Sequence, residues 1–220
     1  MKNIFKSSIG KKIAMALSGV FLIVFLTQHF IINITSVFSE DIFNMLSHFM
    51  GNNPLVQFIL QPVLIAGVLF HFVMGFVLEW QNRKARPVSY AMYKGSRNSM
   101  FVSRNMIISG VVILSFLVLH FYDFWVPEMD YKYIQSLPED PSRYYEELIR
   151  KFENPVRVGL YCLSFIFLAL HLVHGLASST QSLGTNNKYA STIEKISYAF
   201  GIGIPLGFCF IALYHFFIHL

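Results

Sequence analysis

VRVGLYCLSFIFLALHLVHGLASS, residues 156–179, is too apolar and too long for anything but a helix that crosses a membrane. It holds one charged residue, Arg157, at its very start, and at 1.5 Å per residue it outreaches the roughly 30 Å of hydrocarbon in a bilayer. Yet it carries His171 and His174 in its interior, where polar groups are expensive and usually functional. Working outward, four further runs share its character, at about 13–35, 56–80, 105–126 and 193–219. The 220-residue chain is 55% hydrophobic and 13% charged, with a mean hydropathy of +0.52. A soluble domain of that length carries roughly a quarter charged residues, and the deficit argues against a cytosolic globular enzyme. The expectation is an all-α integral membrane protein of five transmembrane helices, with 1–220 as a single domain.

The first run follows Lys11 and Lys12 in the manner of a signal peptide. It continues well past 15 apolar residues without a convincing cleavage site, and so reads as a retained span. Cys162 and Cys209 lie inside apolar runs and form no C-x-x-C, which disfavours a disulfide framework, a zinc site and covalent haem attachment. With the N-terminus cytoplasmic, the inner segments 1–12, 81–104 and 180–192 with their edges hold 12 of the 17 Lys and Arg, and 2 of the 12 acids. The positive-inside rule therefore gives N-in, C-out, which five spans satisfy.

Two connections have order of their own. Ile42, Met45, Leu46 and Phe49 fall at helical spacing before Gly51, predicting a short surface helix that stops at the glycine. Asp140-Pro141 reads as an N-cap with Pro at the first position of a helix through SRYYEELIRKFEN.

The span interiors hold no Asp or Glu away from their ends, where Glu79 and Asp123 stand; what they hold is histidine. His29, His71, His120 and His171 lie one to a span, with His174 beside the last, while His48, His215 and His219 fall near the outer side. Counting at 1.5 Å per residue from the inner edges puts His29 and His120 at about 24–26 Å, His71 at about 18 Å and His171 at about 15 Å. The histidines thus sort into an outer pair and an inner pair within a four-helix bundle. Two neutral imidazoles facing each other can hold a haem iron from both sides. Gly75 and Gly175 follow His71 and His171 by one turn on the same helix face, where a flat macrocycle needs a missing side chain. Packing of helices through small residues is the alternative, as expected of Gly203-x-x-x-Gly207. A proton or ion transporter is a second alternative, with Gly201-Ile-Gly-Ile-Pro205 the only candidate helix break.

Taken together, LTQHFIIN at 26–33, FNMLSHFMGNNP at 43–54, LFHFVMG at 69–75, LHFYDFW at 119–125 and ALHLVHGL at 169–176 resemble the diheme cytochrome b subunit of bacterial succinate:quinone oxidoreductases. This is the membrane anchor of succinate dehydrogenases and fumarate reductases, and the resemblance runs in order through nearly the whole chain. It implies two non-covalent b haems, the proximal one on His71 and His171 and the distal one on His29 and His120, and it selects His171 over His174. It further implies a flavoprotein and an iron-sulfur protein as partners in a bacterial cytoplasmic membrane. A membrane quinone, typically menaquinone, would react near the distal haem. The chain would have no dehydrogenase chemistry of its own and no nucleic-acid partner. The basic loop 81–104 would be a docking surface or a plain positive-inside loop. Quinone chemistry needs a proton donor or acceptor, for which Asp41, then Glu40 and Asp123, are the available carboxylates.

Overall fold

The computed structural model describes residues 7–84, 106–184 and 190–220. Of the basic loop 81–104, expected as a docking surface or a plain positive-inside loop, residues 85–104 fall outside them. Ser7 opens α1, Ser8–Ile34, by accepting a hydrogen bond from the Gly10 amide at 3.0 Å, and the apolar run then continues unbroken. After a turn at Thr35–Val37, Ser39 caps α2, Glu40–Asn52, in the same way through the Ile42 amide. A wide turn at Val56–Leu60 leads into α3, Gln61–Lys84. The remaining helices are α4, Met106–Ile134; α5, Arg143–Phe152; α6, Pro155–Ser182; and α7, Ala190–Ile218. Asn154 caps α6 through the amides of Val156 and Arg157. Five of these seven helices are long and apolar enough to cross a membrane, and the protein is a multi-pass membrane protein.

α1, α3, α4 and α6 form a ring in which each helix touches the next, with α3 and α4 the loosest neighbours. α7 lies outside the ring, packed along α6 and against α1. α2 and α5 pack on each other over one end of the bundle, the capped end, while the start of α1 and the end of α3 mark the other, termed the open end because none of the described helices lies across it. The core is densest towards the capped end, where Phe43, Leu148 and Phe152 join Val158, Tyr161, Phe165, Phe208 and Ile211. α3 has no buried residue.

The structure departs from the sequence reading in several places. α4 runs eight residues past the expected end at 126, because wide i→i+5 turns at Phe121–Trp125 and Asp130–Ile134 carry the helix past Pro127, which has no N–H to give. α5 starts at Arg143 rather than at Pro141, and Asp140 instead accepts from the amide and hydroxyl of Ser142, both at 3.0 Å. α2 is present, but Gly51 does not stop it; the helix ends at Asn52, before Asn53-Pro54. Gly51 is small because a side chain there would run into the Tyr144 hydroxyl and the Lys132 ammonium. Burial, then the neighbouring Glu128 carboxylate, pushes the Tyr144 phenol up, so it remains a donor to Glu128 Oε1 at 2.8 Å. The apolar stripe Ile42, Met45 and Phe49 is exposed, facing away from the protein, and Phe43 makes the core contact.

α7 passes through Pro205 as one continuous helix, so the candidate break of a transporter is absent from it. Its small-residue contacts are also not the expected pair. A Cβ on Gly203 would meet nothing, whereas one on Gly201 would stand 2.8 Å from the Val173 amide nitrogen of α6, and one on Gly207 would strike the Phe30 ring of α1. Gly201→Ala should therefore destabilise the helix pair by about 1–3 kcal/mol and Gly203→Ala by almost nothing, as read by denaturation in detergent.

Candidate functional site

Because α1 stands opposite α4 in the ring and α3 opposite α6, side chains near mid-helix meet across the bundle axis. His29 of α1 faces His120 of α4 with ring centres 5.7 Å apart and planes at 86°. His71 of α3 faces His171 of α6 at 6.2 Å and 68°. The four histidines sorted by depth from the sequence are thus brought together in the expected pairs, one near the capped end and one near the open end. A metal bonded at about 2 Å to one nitrogen of each ring would separate the ring centres by roughly 6 Å. Among the described residues no three His, Cys, Asp or Glu side chains converge, so the donor set is two nitrogens per level. Such a set would suit a metal whose remaining positions another ligand, such as a macrocycle, would fill.

The surroundings of the two pairs differ. At the open level, a Cβ on Gly75 would meet only the Met15 methyl, at 3.7 Å, and one on Gly175 only the Met106 methyl, at 3.5 Å. Among the described residues, each glycine therefore leaves a hollow closed by nothing stiffer than the end of a methionine. Gly19 is more tightly bounded, since a Cβ there would stand 3.3 Å from the Ser179 hydroxyl and 3.7 Å from the His71 ring. The hydroxyls of Ser18 and Ser109 lie 3.0 and 3.3 Å from Nδ1 of His71 and His171. Sequence reasoning missed both serines, since a hydroxyl in an apolar span has no meaning until its facing helix is known. At the capped level the rings are wrapped in aromatics. Phe25 and Phe208 lie against His29, and Phe116, Phe124 and Tyr161 surround His120. Asn33 reaches the His29 ring only at 3.4–3.5 Å, and His120 Nδ1 is buried without a partner among the described residues.

The three acids proposed for proton handling separate sharply. Glu40 and Asp41 are exposed in the first turn of α2, where a negative charge complements the helix dipole. Asp123 is not an ordinary interfacial charge, because it is completely buried one turn past His120. Its Oδ2 accepts from the Tyr161 hydroxyl at 2.9 Å and pairs with Arg157 Nε at 3.0 Å, while Oδ1 has no partner among the described residues. Arg157 and Tyr161 stand one turn apart on α6, a spacing that does mark them as one face.

The remaining histidines have local roles. His174 is partly exposed, and among the described residues no aromatic ring packs on it. His48 donates from Nε2 to the Asp140 carbonyl at 3.0 Å and lies against Tyr144, tying α2 to the segment before α5. His215 of α7 is fully buried, bonded at 2.9 Å to Ser36 and stacked on His219.

Comparison of the chain with family models, curated proteins and solved structures finds no match.

Removing Arg157 strands a buried carboxylate. Arg157→Ala should cost about 3–5 kcal/mol in detergent denaturation, and Asp123→Asn added to it should recover much of that loss.

Proposed function

We propose that this chain is the membrane-anchor and electron-transfer subunit of a succinate:quinone oxidoreductase, carrying two b haems on paired histidines. The observation that carries the reading is the meeting of His29 with His120 and of His71 with His171, at ring separations of 5.7 and 6.2 Å and at two levels of one membrane bundle. Each haem, when bound, supplies a one-electron couple whose potential the protein tunes. His71 and His171 hold the proximal haem, and Gly75 and Gly175 give its ring room against α3 and α6. His29 and His120 hold the distal haem, enclosed by Phe25, Phe116, Phe124 and Phe208. Two levels give an electron path across the membrane between a cytoplasmic iron-sulfur subunit, docked with its flavoprotein, and a quinone at the capped end, with menaquinone the expected species.

The excess of Lys and Arg in the segments at the open end supports placing that end, and the N-terminus, on the cytoplasmic side of a bacterial membrane. Quinone reduction and quinol oxidation move protons as well as electrons. Asp123, buried beside His120 with one carboxylate oxygen free, is better placed for that task than the exposed Asp41 and Glu40. Arg157 and Tyr161 hold it in position.

His29→Ala and His71→Ala, purified in detergent, should each lose one haem, and the haem lost should differ in midpoint potential between the two variants. Full haem content in both would overturn the pairing, leaving a haem-free or differently ligated anchor.

A further inference from the structure

The two serines beside the open-level histidines belong to a pattern that is present twice. α1 carries Met15-x2-Ser18-x10-His29 and α4 carries Met106-x2-Ser109-x10-His120, with the same spacings 91 residues apart. Their partner helices carry His71-x3-Gly75 and His171-x3-Gly175. The contacts repeat as well. Met15 covers Gly75 and Ser18 meets His71, and Met106 covers Gly175 and Ser109 meets His171. α1 with α3, and α4 with α6, are therefore two copies of one arrangement, facing each other across the bundle.

The hydrogen bonding inside that arrangement has a definite direction. A serine hydroxyl has one proton. Ser18 donates its proton to the Met15 carbonyl at 2.8 Å, and Ser109 donates its own to the Met106 carbonyl at 2.9 Å. Towards the imidazole each hydroxyl can then only accept, so Nδ1 of His71 and of His171 carries the hydrogen and Nε2 carries the lone pair. We propose that Ser18 and Ser109 are positioning residues that hold both open-level imidazoles in the Nδ1–H form, presenting two Nε2 lone pairs to one shared metal.

His215 shows that the choice of nitrogen is not automatic. Ser36 likewise donates to a carbonyl three residues back, that of Asn33 at 2.7 Å, but it meets His215 at Nε2. That leaves only the hindered Nδ1 free. The capped-level pair has no such serine, so the two metal positions differ in the support given to their ligands. A hydrogen bond from Nδ1–H makes the ligand more basic, which favours the oxidised metal, and losing such a partner typically weakens binding about 10–100-fold.

This inference rests on the two-haem reading, and the experiment separates the two. Ser18→Ala and Ser109→Ala are prepared beside Ser18→Thr, with Ser115→Ala as control, since Ser115 is exposed and bonds only to the Val111 carbonyl. In each alanine variant the open-level haem should titrate at a higher potential and be lost about 10–100-fold more readily, with the other haem unchanged. Ser18→Thr and Ser115→Ala should match the unaltered protein. Two haems with unchanged potentials in both alanine variants would overturn the positioning role, while an unaltered protein that takes up no haem would overturn the two-haem reading itself. Nitrogen-15 NMR of the haem-free chain labelled at histidine reads the tautomer without any variant. Nδ1–H at His71 and His171 is expected, and Nε2–H at either would overturn the proposal.

Discussion

Inside a bilayer no water is available to satisfy a polar group, and that single constraint orders this molecule. Every histidine in the spans must find a partner in the protein or in something the protein binds. The bundle answers by pairing them across its axis, His29 with His120 and His71 with His171, and by giving the open-level rings a serine each. The capped-level rings have aromatic neighbours and one distant amide, and among the described residues His120 Nδ1 has no partner. A ring of four helices whose diagonals carry paired imidazoles, with a fifth helix packed outside, therefore separates the helices that bring the paired histidines together from a supporting one.

The same constraint explains the buried carboxylate. Asp123 sits at zero exposure in an apolar bundle, and it is tolerable there because Arg157 and Tyr161 converge on one of its oxygens. The wide turn that begins at Phe121 brings Asp123 and His120 to the same region. α2 and α5 then cover this end, fastened by the Glu128, Arg143 and Tyr144 cluster and by Tyr145 donating its amide to Asn44 at 2.9 Å. The densest packing, the charged triad and the enclosed histidine pair all lie at the capped end, whereas the open end is held by flexible methionines over glycines.

Much of this was legible from residue order. Apolar run length marks the five spans, and counting from charged edges assigns each of four histidines to the correct level, because a straight helix converts residue number directly into depth. The ends of α2, α4 and α5 were misplaced, since Gly51 is small for a neighbour's sake and Pro127 is passed by a widened turn. Ser18, Ser109 and Asp123 gained meaning only once the facing helix was known. The repeat of Met-x2-Ser-x10-His can be read in the sequence, but it spans 91 residues and shares only three side chains, so it stands out only when the contacts repeat too. Gly201 and Gly207, not Gly203, mark where α7 approaches its neighbours, a matter of helix rotation that small-residue spacing alone does not fix.

Whether the four histidines hold two haems is tested directly by haem content. The chain, purified in detergent and reduced, should show the absorption of low-spin b-type cytochrome with two haems per polypeptide. A colourless preparation from cells supplied with haem, or full haem content retained after loss of either pair, would contradict it.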